Sequence, residues 1–524
     1  MKRRDFLNTA TLAGVGAVLG SNVMGQRSGA RSLEEATVAE LSSMMERGQM
    51  TSEQITTWYL SRIRSIDPQI NSMIEVNPDA IAIAREKDRE RRNRMVKGSL
   101  HGVPVVIKDN IDTADKMKTT AGSLALADAP TPKQDAFIVT KLRESGAVII
   151  GKTNLSEWAN FRDNDSISGW SGRGGQTHNP YILDRNPCGS SSGSGAAVAA
   201  NLAAIAIGTE TDGSILCPAS INGIVGLKPT VGLVSQNGII PISATQDTAG
   251  PMCRTVADVA VLLTAIAGRD RRGETFQFAS SELRPDYTAS LKLDGLRGAR
   301  IGVARDFWGR NATVDKVTNA ALEAMKRAGA ELIDVKFPNR SKFGDAEFLV
   351  LKYEFKDGLE KYLRNRGSRH KTLDDLIKFN NNNARELKYF GQSIMVDSAK
   401  LGDLNTKEYK DALETCRKYS REEGIDEAVD KNKLAAIVGP SNGPAWMIDT
   451  VSGDCGSGYV SSSSMAAVAG YPNITVPAGF AKELPIGISF FGKAFTEHTL
   501  IKLAYSFEQA TKARRKPKFL KTYV

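Results

Sequence analysis

Histidine is scarce in this sequence. The 524 residues contain only four histidines, at positions 101, 178, 370 and 498. Histidine is the usual base that activates a serine nucleophile, so that mechanism is restricted to these four positions. Ser214 lies in the stretch TETDGSI (209–215), which contains no histidine, lysine or arginine. If Ser214 is a nucleophile, its base must come from elsewhere in the chain.

Cysteine is also infrequent, with five residues at positions 188, 217, 253, 416 and 455. Their wide spacing contains no C-x-x-C and no zinc-ligand pattern, and a chain of this length does not need disulfides to hold a core together. The sequence therefore excludes a disulfide-rich scaffold. We expect buried structural thiols with room for one disulfide, and the pairing stays open.

Long hydrophobic runs are missing as well. No stretch of about 18 apolar residues occurs, which excludes a multi-pass membrane protein. The net charge of +10 is spread along the chain, apart from the basic tail KARRKPKFLK at 512–521. Nucleic-acid binding would favour a basic stripe with interleaved aromatic residues, so we expect a solvated surface and no nucleic-acid partner.

The N-terminus has the pattern of an export signal. Lys2, Arg3 and Arg4 precede a weakly hydrophobic Ala/Gly/Leu/Val run at residues 9–20, too short to cross a bilayer. The arginine pair followed by Phe-Leu resembles a twin-arginine signal. We predict an export signal over residues 1–26 and a periplasmic mature protein with no stable membrane partner; the alternative is a frayed basic terminus.

The rest of the chain alternates predicted strands and helices. VPVVI (103–107) is typical of a buried strand that ends in Lys108, and residues 135–154 and 299–337 add further helix and strand patterns. This alternation predicts an α/β fold around a largely parallel sheet. Residues 340–430 are polar and helical, typical of a peripheral insertion. Because no linker is evident, we predict one domain over residues 27–524.

Three segments carry residues suited to catalysis: HGVPVVIKDN (101–110), PCGSSSGSGAAVAA (187–200) and GTETDGSI (208–215). A lysine that ends an apolar strand loses solvation, and burial lowers its pKa until a neutral amine can act as a base. Gly/Ser-rich loops allow close backbone approach and can direct N–H groups at a developing negative charge. Each segment alone is more often structural, but together they can form a hydrolytic site.

These segments resemble the amidase signature family, which hydrolyses carboxamides with a Ser–cis-Ser–Lys triad. The family pattern G-x-P-x-x-x-K-D is met at residues 102–109, its glycine–serine stretch at 188–194 and its nucleophile segment at 212–215. Ser190 and Ser214 are separated by 24 positions, as in the family. The resemblance extends over about residues 33–515. It implies a large twisted mixed sheet, mostly parallel, with helices covering both faces.

The resemblance also implies a role for each matching residue. Ser214 would be the acylated nucleophile, Lys108 the final base, and Ser190, after a cis peptide bond, the proton relay between them. No metal or cofactor is implied. The oxyanion hole would consist of the backbone N–H groups of Thr211, Asp212, Gly213 and Ser214.

Departures from the family pattern indicate the substrate. Cys188 and Ser192 replace usual glycines, and Asp212 replaces the glycine that precedes the usual Gly-Ser. With the segment 156–180, these variants resemble the branch that removes the C-terminal amide of peptides. We therefore expect amidated peptides as substrates, with other small aliphatic or aromatic amides as the alternative, and we take Asp212 as a candidate for substrate specificity.

Other interpretations remain open. Residues 189–193 also match G-x-S-x-G, which would make Ser191 the nucleophile with His370 or His498 as base. Ser368 and Lys371 match S-x-x-K, but in a polar basic stretch that favours a surface role. An amidotransferase subunit of the same fold and a non-catalytic binder of peptide amides are the remaining functional alternatives. The oligomeric state is not predicted.

Overall fold

The computed structural model describes residues 32–270, 272, 286–455 and 460–523. The chain divides into two units, Met1–Glu34 and Glu35–Val524, and all features below belong to the second. The predicted export signal at residues 1–26 lies outside the described residues. Within these ranges, no helix combines the length and the apolar character that crossing a membrane requires.

In the part of the chain that the structure describes, eleven strands form one mixed sheet, and two short strands form a separate hairpin. The order across the large sheet is β1-β3-β2-β6-β8-β7-β12-β13-β11-β9-β10, and the small hairpin pairs β4 with β5. The strands are β1 (Met73–Val76), β2 (Pro104–Lys108), β3 (Val148–Thr153), β4 (Trp170–Ser171), β5 (Gly175–Gln176), β6 (Ile205–Glu210), β7 (Val225–Lys228), β8 (Thr248–Cys253), β9 (Arg300–Ala304), β10 (Glu331–Val335), β11 (Ala436–Pro440), β12 (Asn473–Ala481) and β13 (Leu484–Phe491).

The prediction of a large mixed sheet in an α/β fold is confirmed, but the prediction that parallel pairs predominate is wrong. Four of the ten strand pairs of the large sheet are parallel, and six are antiparallel. β12 and β13 are joined by two residues, a connection that permits only an antiparallel pair. β8 also lies between β6 and β7 and runs antiparallel to both.

The helices follow the predicted pattern. Thr51 and Gln54 form a capping box at the start of α2, and the predicted helix and strand within residues 135–154 are α4 and β3. The helices are α1 (Val38–Glu46), α2 (Ser52–Ile70), α3 (Ala80–Arg92), α4 (Phe137–Glu144), α5 (Ser192–Ala199), α6 (Leu216–Ile221), α7 (Val256–Ile266), α8 (Ala312–Arg327), α9 (Gly344–Arg366), α10 (Leu373–Asn381), α11 (Ser393–Ala399), α12 (Lys407–Arg417), a π-helical segment (Lys418–Asp426), α13 (Glu427–Asn432), α14 (Ser463–Ala469) and α15 (Glu497–Thr511).

The polar segment predicted at 340–430 consists of α9 to α13, between β10 and β11. One side of it is apolar: Leu351, Phe355 and Leu359 of α9 pack in a cluster with Trp158 and Phe161. Burial of these side chains stabilises the contact between α9 and the loop that follows β3. The helical segment therefore packs against that loop.

Candidate active site

Lys108 ends β2 and is completely buried. β2 lies between β3 and β6 and is parallel to both, so the side chain at its end is covered by neighbouring strands and loops. The Nζ atom of Lys108 lies 2.8 Å from Ser190 Oγ, 2.8 Å from Thr209 Oγ1 and 3.2 Å from the Thr209 carbonyl oxygen. A direct hydrogen bond thus joins Lys108 to the segment that carries Ser190.

Burial changes the acidity of Lys108. Removal from water disfavours the ammonium ion and lowers the pKa of Lys108 to about 7. The carboxylates of Asp247 and Glu210 act in the opposite direction and keep this pKa from falling further. A substantial fraction of Lys108 is therefore a neutral amine near neutral pH, which is the form a general base requires.

Ser190 is placed by the turn that leads into α5. The Gly189–Ser190 peptide bond is cis, as the resemblance implied, and the Ser190 carbonyl oxygen accepts a hydrogen bond from Ser156 N at 3.1 Å. The small residues of α5 permit close packing: a Cβ atom on Gly193 would lie 2.2 Å from the Ser72 carbonyl oxygen. The glycine–serine stretch is therefore an ordered, buried element.

Ser214 lies in the turn between β6 and α6. Gly213 has a φ of +76°, a conformation that glycine adopts without strain. Ser191 N donates to the Ser214 carbonyl oxygen at 3.1 Å, which joins the two serine segments. Glu210 accepts hydrogen bonds from the backbone N–H groups of Ile215 and Leu216 at 2.8 and 2.9 Å. Its carboxylate therefore stabilises the turn on the side of α6.

A disulfide also joins these two segments. Cys188 and Cys217 are bonded, with Cα atoms 6.0 Å apart. Of the other cysteines, Cys253 and Cys416 are buried thiols and Cys455 is an exposed thiol. The expectation of buried thiols with room for one disulfide agrees with this arrangement, and the structure supplies the pairing that the sequence left open.

A cavity of about 350 Å³ opens beside Ser214. Part of its wall comes from the loop after β3, part from the turn that carries Ser214 and part from α9, which contributes Leu351. Because Leu351 belongs to the helical segment at 340–430, that segment forms one side of the cavity. The lining residues are Ala159, Asn160, Phe161, Ser168, Cys188, Gly189, Thr211, Asp212, Gly213, Ser214, Cys217, Ile242, Leu351, Trp446 and Asp454.

Asp212 lines this cavity two positions before Ser214. Its Oδ1 atom accepts a hydrogen bond from Ser463 Oγ at 2.6 Å. Burial raises the pKa of Asp212, while hydrogen bonds from Ser463 and Ser464 and the charge of Lys228 lower it. The candidate for substrate specificity is therefore a carboxyl group directly on the cavity wall.

Thr211 is fixed by a carboxyl group that sequence reasoning missed. Its Oγ1 atom donates to Asp247 Oδ1 at 2.6 Å, while Asp247 Oδ2 accepts from the N–H groups of Ile242 and Ser243 at 2.8 and 2.9 Å. Burial raises the pKa of Asp247 to about 6. Asp247 both supports the turn before Ser214 and influences Lys108, but it lies outside the three recognised motifs.

The alternative nucleophiles have other contacts. Ser191 Oγ donates to the Thr209 carbonyl oxygen at 2.9 Å and accepts from Thr209 N at 3.1 Å, and the residue is fully buried. Ser368 Oγ accepts from His370 N at 3.2 Å, within a local turn. His370 packs against the ring of Phe379. These contacts give Ser191 and Ser368 structural roles.

A sequence profile of the family described as Amidase matches residues 54–501. The chain belongs to the amidase family. Native peptide amidase from Stenotrophomonas maltophilia is 49% identical, and its structure aligns with a TM-score of 0.87 over 93% of this chain and 99% of its own. A protein of Arabidopsis thaliana named "probable amidase" is 41% identical over 93% of this chain and 92% of its own length. A glutamyl-tRNA(Gln) amidotransferase subunit of Thermoanaerobacter pseudethanolicus is 33% identical over 93% of this chain and 98% of its own length.

These similarities confirm the family that the three motifs indicated. The chain has the fold of the amidase signature family, and this amidase is an enzyme that hydrolyses amide bonds. The similarity extends across nearly the whole chain, well beyond the motifs themselves.

Proposed function

We propose that this amidase removes the C-terminal amide of peptides and releases a free carboxylic acid and ammonia. The observation that carries the proposal is the cavity beside Ser214, whose volume of about 350 Å³ suits a side chain and peptide backbone. Its apolar wall includes Phe161, Ile242, Leu351 and Trp446, which can contact an amino-acid side chain. The 49% identity to a peptide amidase supports the same substrate class.

The proposed reaction begins with proton transfer. Neutral Lys108 takes the proton of Ser190, Ser190 takes the proton of Ser214, and Ser214 Oγ attacks the amide carbon. The C–N bond then breaks as the proton returns from Lys108 through Ser190 to the nitrogen, and ammonia leaves. Water attacks the acyl-enzyme by the same relay, which releases the acid and restores Ser214. The reaction needs no metal or cofactor.

We assign the oxyanion hole to the backbone of the turn that carries Ser214. N–H groups at residues 211–214 would stabilise the negative oxygen of the tetrahedral intermediate. The bond from Thr211 to Asp247 and the two bonds to Glu210 support this turn on both sides. A turn held in this way keeps its N–H groups in place before the charge develops.

We also propose that the enzyme acts outside the cytoplasm. The twin-arginine pattern at the N-terminus is the main support, and the Cys188–Cys217 disulfide is consistent with an oxidising compartment. Fractionation of cells that produce the full chain tests this: we expect the mature protein in the periplasm, and an unprocessed cytoplasmic protein would contradict it.

The substrate proposal is tested with purified protein, amidated dipeptides and simple aliphatic amides. Ammonia release is measured for each, with Ser214→Ala as the inactive control. We expect hydrolysis of the amidated dipeptides and none by the variant. Ammonia from simple amides only would refute the peptide substrate, and ammonia released by Ser214→Ala would refute the nucleophile.

The similarity to the amidotransferase subunit supports a second candidate. In that case the chain would hydrolyse an amide to supply ammonia to another subunit. The same assay separates the candidates, because the peptide amidase function predicts full ammonia release by the isolated chain. Turnover that appears only after addition of a partner subunit would favour the second candidate.

A further inference from the structure

The Cys188–Cys217 disulfide connects the two segments that carry the catalytic serines. Cys188 lies two positions before Ser190, and Cys217 lies three positions after Ser214, in the first turn of α6. The covalent bond therefore fixes the start of one serine segment to the end of the other.

Hydrogen bonds and apolar packing also join these segments: Ser191 Oγ bonds to the backbone of Thr209, and Cys188, Cys217 and Ile221 share one apolar cluster. Ser191 N donates to the Ser214 carbonyl oxygen at 3.1 Å, and Asn222 Nδ2 donates to the Pro187 carbonyl oxygen at 2.9 Å. Individual hydrogen bonds break and re-form far more readily than a covalent bond. The disulfide adds to these contacts the one covalent constraint that directly joins the start of one serine segment to the end of the other.

This placement matters because the proposed proton relay crosses from one segment to the other. Ser190 is anchored on the other side by its bond to Lys108 at 2.8 Å. In the proposed relay Ser190 accepts the proton of Ser214, so a shift of Ser214 away from Ser190 would impair this transfer. Misplacement of reacting groups by about 1 Å can cost on the order of 100-fold in rate.

We infer that the Cys188–Cys217 disulfide is a positioning element for amide hydrolysis, and that its reduction lowers turnover by displacing Ser214 from Ser190. The inference rests on the proposed roles of Ser190 and Ser214. Both cysteines line the substrate cavity, so a small thiol reaches the bond by the route that the substrate uses. Cys253 and Cys416 are buried thiols that do not line this cavity.

Reduction by a dithiol balances without further reactants. The first thiolate of the reagent attacks one cysteine sulfur, which breaks the Cys188–Cys217 bond, forms a mixed disulfide and releases the other cysteine as a thiol. The second thiol of the reagent then attacks the reagent's own sulfur in the mixed disulfide and releases the remaining cysteine. Two electrons and two protons pass to Cys188 and Cys217, and the reagent becomes a cyclic disulfide. Oxidised glutathione reverses the change by the same exchange.

The test compares oxidised and reduced wild-type protein with any amide that the oxidised protein hydrolyses. Thiol titration establishes that the bond is open, circular dichroism establishes that the fold is retained, and kcat and KM are measured separately. We expect kcat to fall by at least about tenfold, since the loss is one of alignment between reacting groups. Activity should return on reoxidation, and an exposed-thiol control, Cys455→Ser, should behave as wild type in both states.

A second measurement keeps the inference independent of the substrate. The rate at which a fluorophosphonate labels Ser214 reports on activation of the serine alone. Slower labelling after reduction supports the inference even if no peptide amide is hydrolysed, a result that would refute only the proposed substrate. Equal kcat and equal labelling rates in the two states would overturn the inference. The double variant Cys188→Ala/Cys217→Ala should match the reduced wild type; if it does not fold, the reversible reduction still decides.

Discussion

Lys108 Nζ and Ser190 Oγ lie 2.8 Å apart, and both residues are fully excluded from solvent. A neutral amine has two N–H groups and one lone pair. The carbonyl oxygen of Thr209 can only accept, so it takes one N–H, and Thr209 Oγ1 takes the other. The lone pair is then directed at Ser190, whose hydroxyl can donate to it. This arrangement would let neutral Lys108 take the proton of Ser190, as the proposed relay requires.

The first prediction concerns pH. Protonation removes the lone pair of Lys108, and its pKa of about 7 means that the active form is lost as the pH falls through 7. We expect kcat/KM to decrease about tenfold per pH unit well below this value and to level off above it. A pH–rate profile with a non-ionising amide substrate measures this. A flat profile between about pH 5.5 and 8.5 would contradict a titrating base.

The second prediction concerns the charge of Asp247. This carboxylate raises the pKa of Lys108, so removing the charge should lower that pKa and move the acidic limb of the profile to lower pH. In Asp247→Asn, Oδ1 can still accept from Ile242 and Ser243 while Nδ2 donates to Thr211. The expected shift is up to about one pH unit. Asp294→Asn, at an exposed carboxylate, is the control and should leave the profile unchanged.

The third prediction concerns the hydroxyl of Thr209. Thr209→Val keeps the size of the side chain but leaves the N–H groups of Lys108 and Asn110 without their shared acceptor. The lone pair of Lys108 is then no longer fixed toward Ser190, and we expect kcat to fall roughly 10- to 100-fold. Thr209→Ser retains the hydroxyl and should recover most of the activity. Equal kcat values for the two variants would show that the hydroxyl does not orient the base.

The sequence was most informative where one local segment supplies both the strand and the functional residue. The strand pattern predicted that a buried strand ends in Lys108, and β2 confirms this; the motif singled out Ser214, which lies in the turn after β6. Asp247 was missed because it acts on Lys108 through its charge and on Thr211 through a hydrogen bond, from a loop with no motif of its own. The spacing of residues along the chain does not reveal such an influence.

The relative directions of the strands and the charge pairs between distant residues also could not be predicted from the sequence. Alternating strands and helices suggested mostly parallel pairs, but the insertion of β8 between β6 and β7 depends on packing that no local pattern encodes. Arg162 and Glu386 are 224 positions apart in sequence, and both are fully buried. Neither residue stands out in a polar stretch, where charged side chains are normally exposed.

The fourth prediction follows from that pair. Arg162 contacts Glu157 Oε1 at 2.5 Å and Glu386 Oε2 at 3.3 Å, directly after the cavity wall at residues 159–161. Burial raises the pKa of Glu157 well above its usual value, and Glu386 raises it further while Arg162 opposes this. Arg162→Met leaves two buried carboxyl groups without a cation, and we expect a loss of about 3–5 kcal/mol in the free energy of unfolding.

Glu386→Gln is the matched comparison for Arg162→Met. It removes one of the two acids and leaves a balanced Arg162–Glu157 pair, so the loss in urea-unfolding experiments should be clearly smaller. If Arg162→Met also disturbs the cavity wall at residues 159–161, its KM should rise while its kcat stays largely unchanged. If Glu386→Gln destabilises as much as Arg162→Met, charge balance is not what holds this loop.

The fifth prediction concerns Asp212, whose carboxyl group lines the substrate cavity beside Ser214 and accepts from Ser463. A carboxylate there favours a substrate with a nearby cationic group over one with an anionic group. In Asp212→Asn the side chain can still accept from Ser463, but the charge is gone. We expect the ratio of kcat/KM between lysine-containing and glutamate-containing amidated dipeptides to fall by about tenfold, equivalent to roughly 1.4 kcal/mol.

Ser463→Ala leaves the charge in place and removes only the hydrogen bond, so it should keep the sign of the preference. An unchanged ratio in Asp212→Asn, with kcat reduced for every substrate alike, would assign Asp212 to the support of the Ser214 turn and remove it from substrate selection.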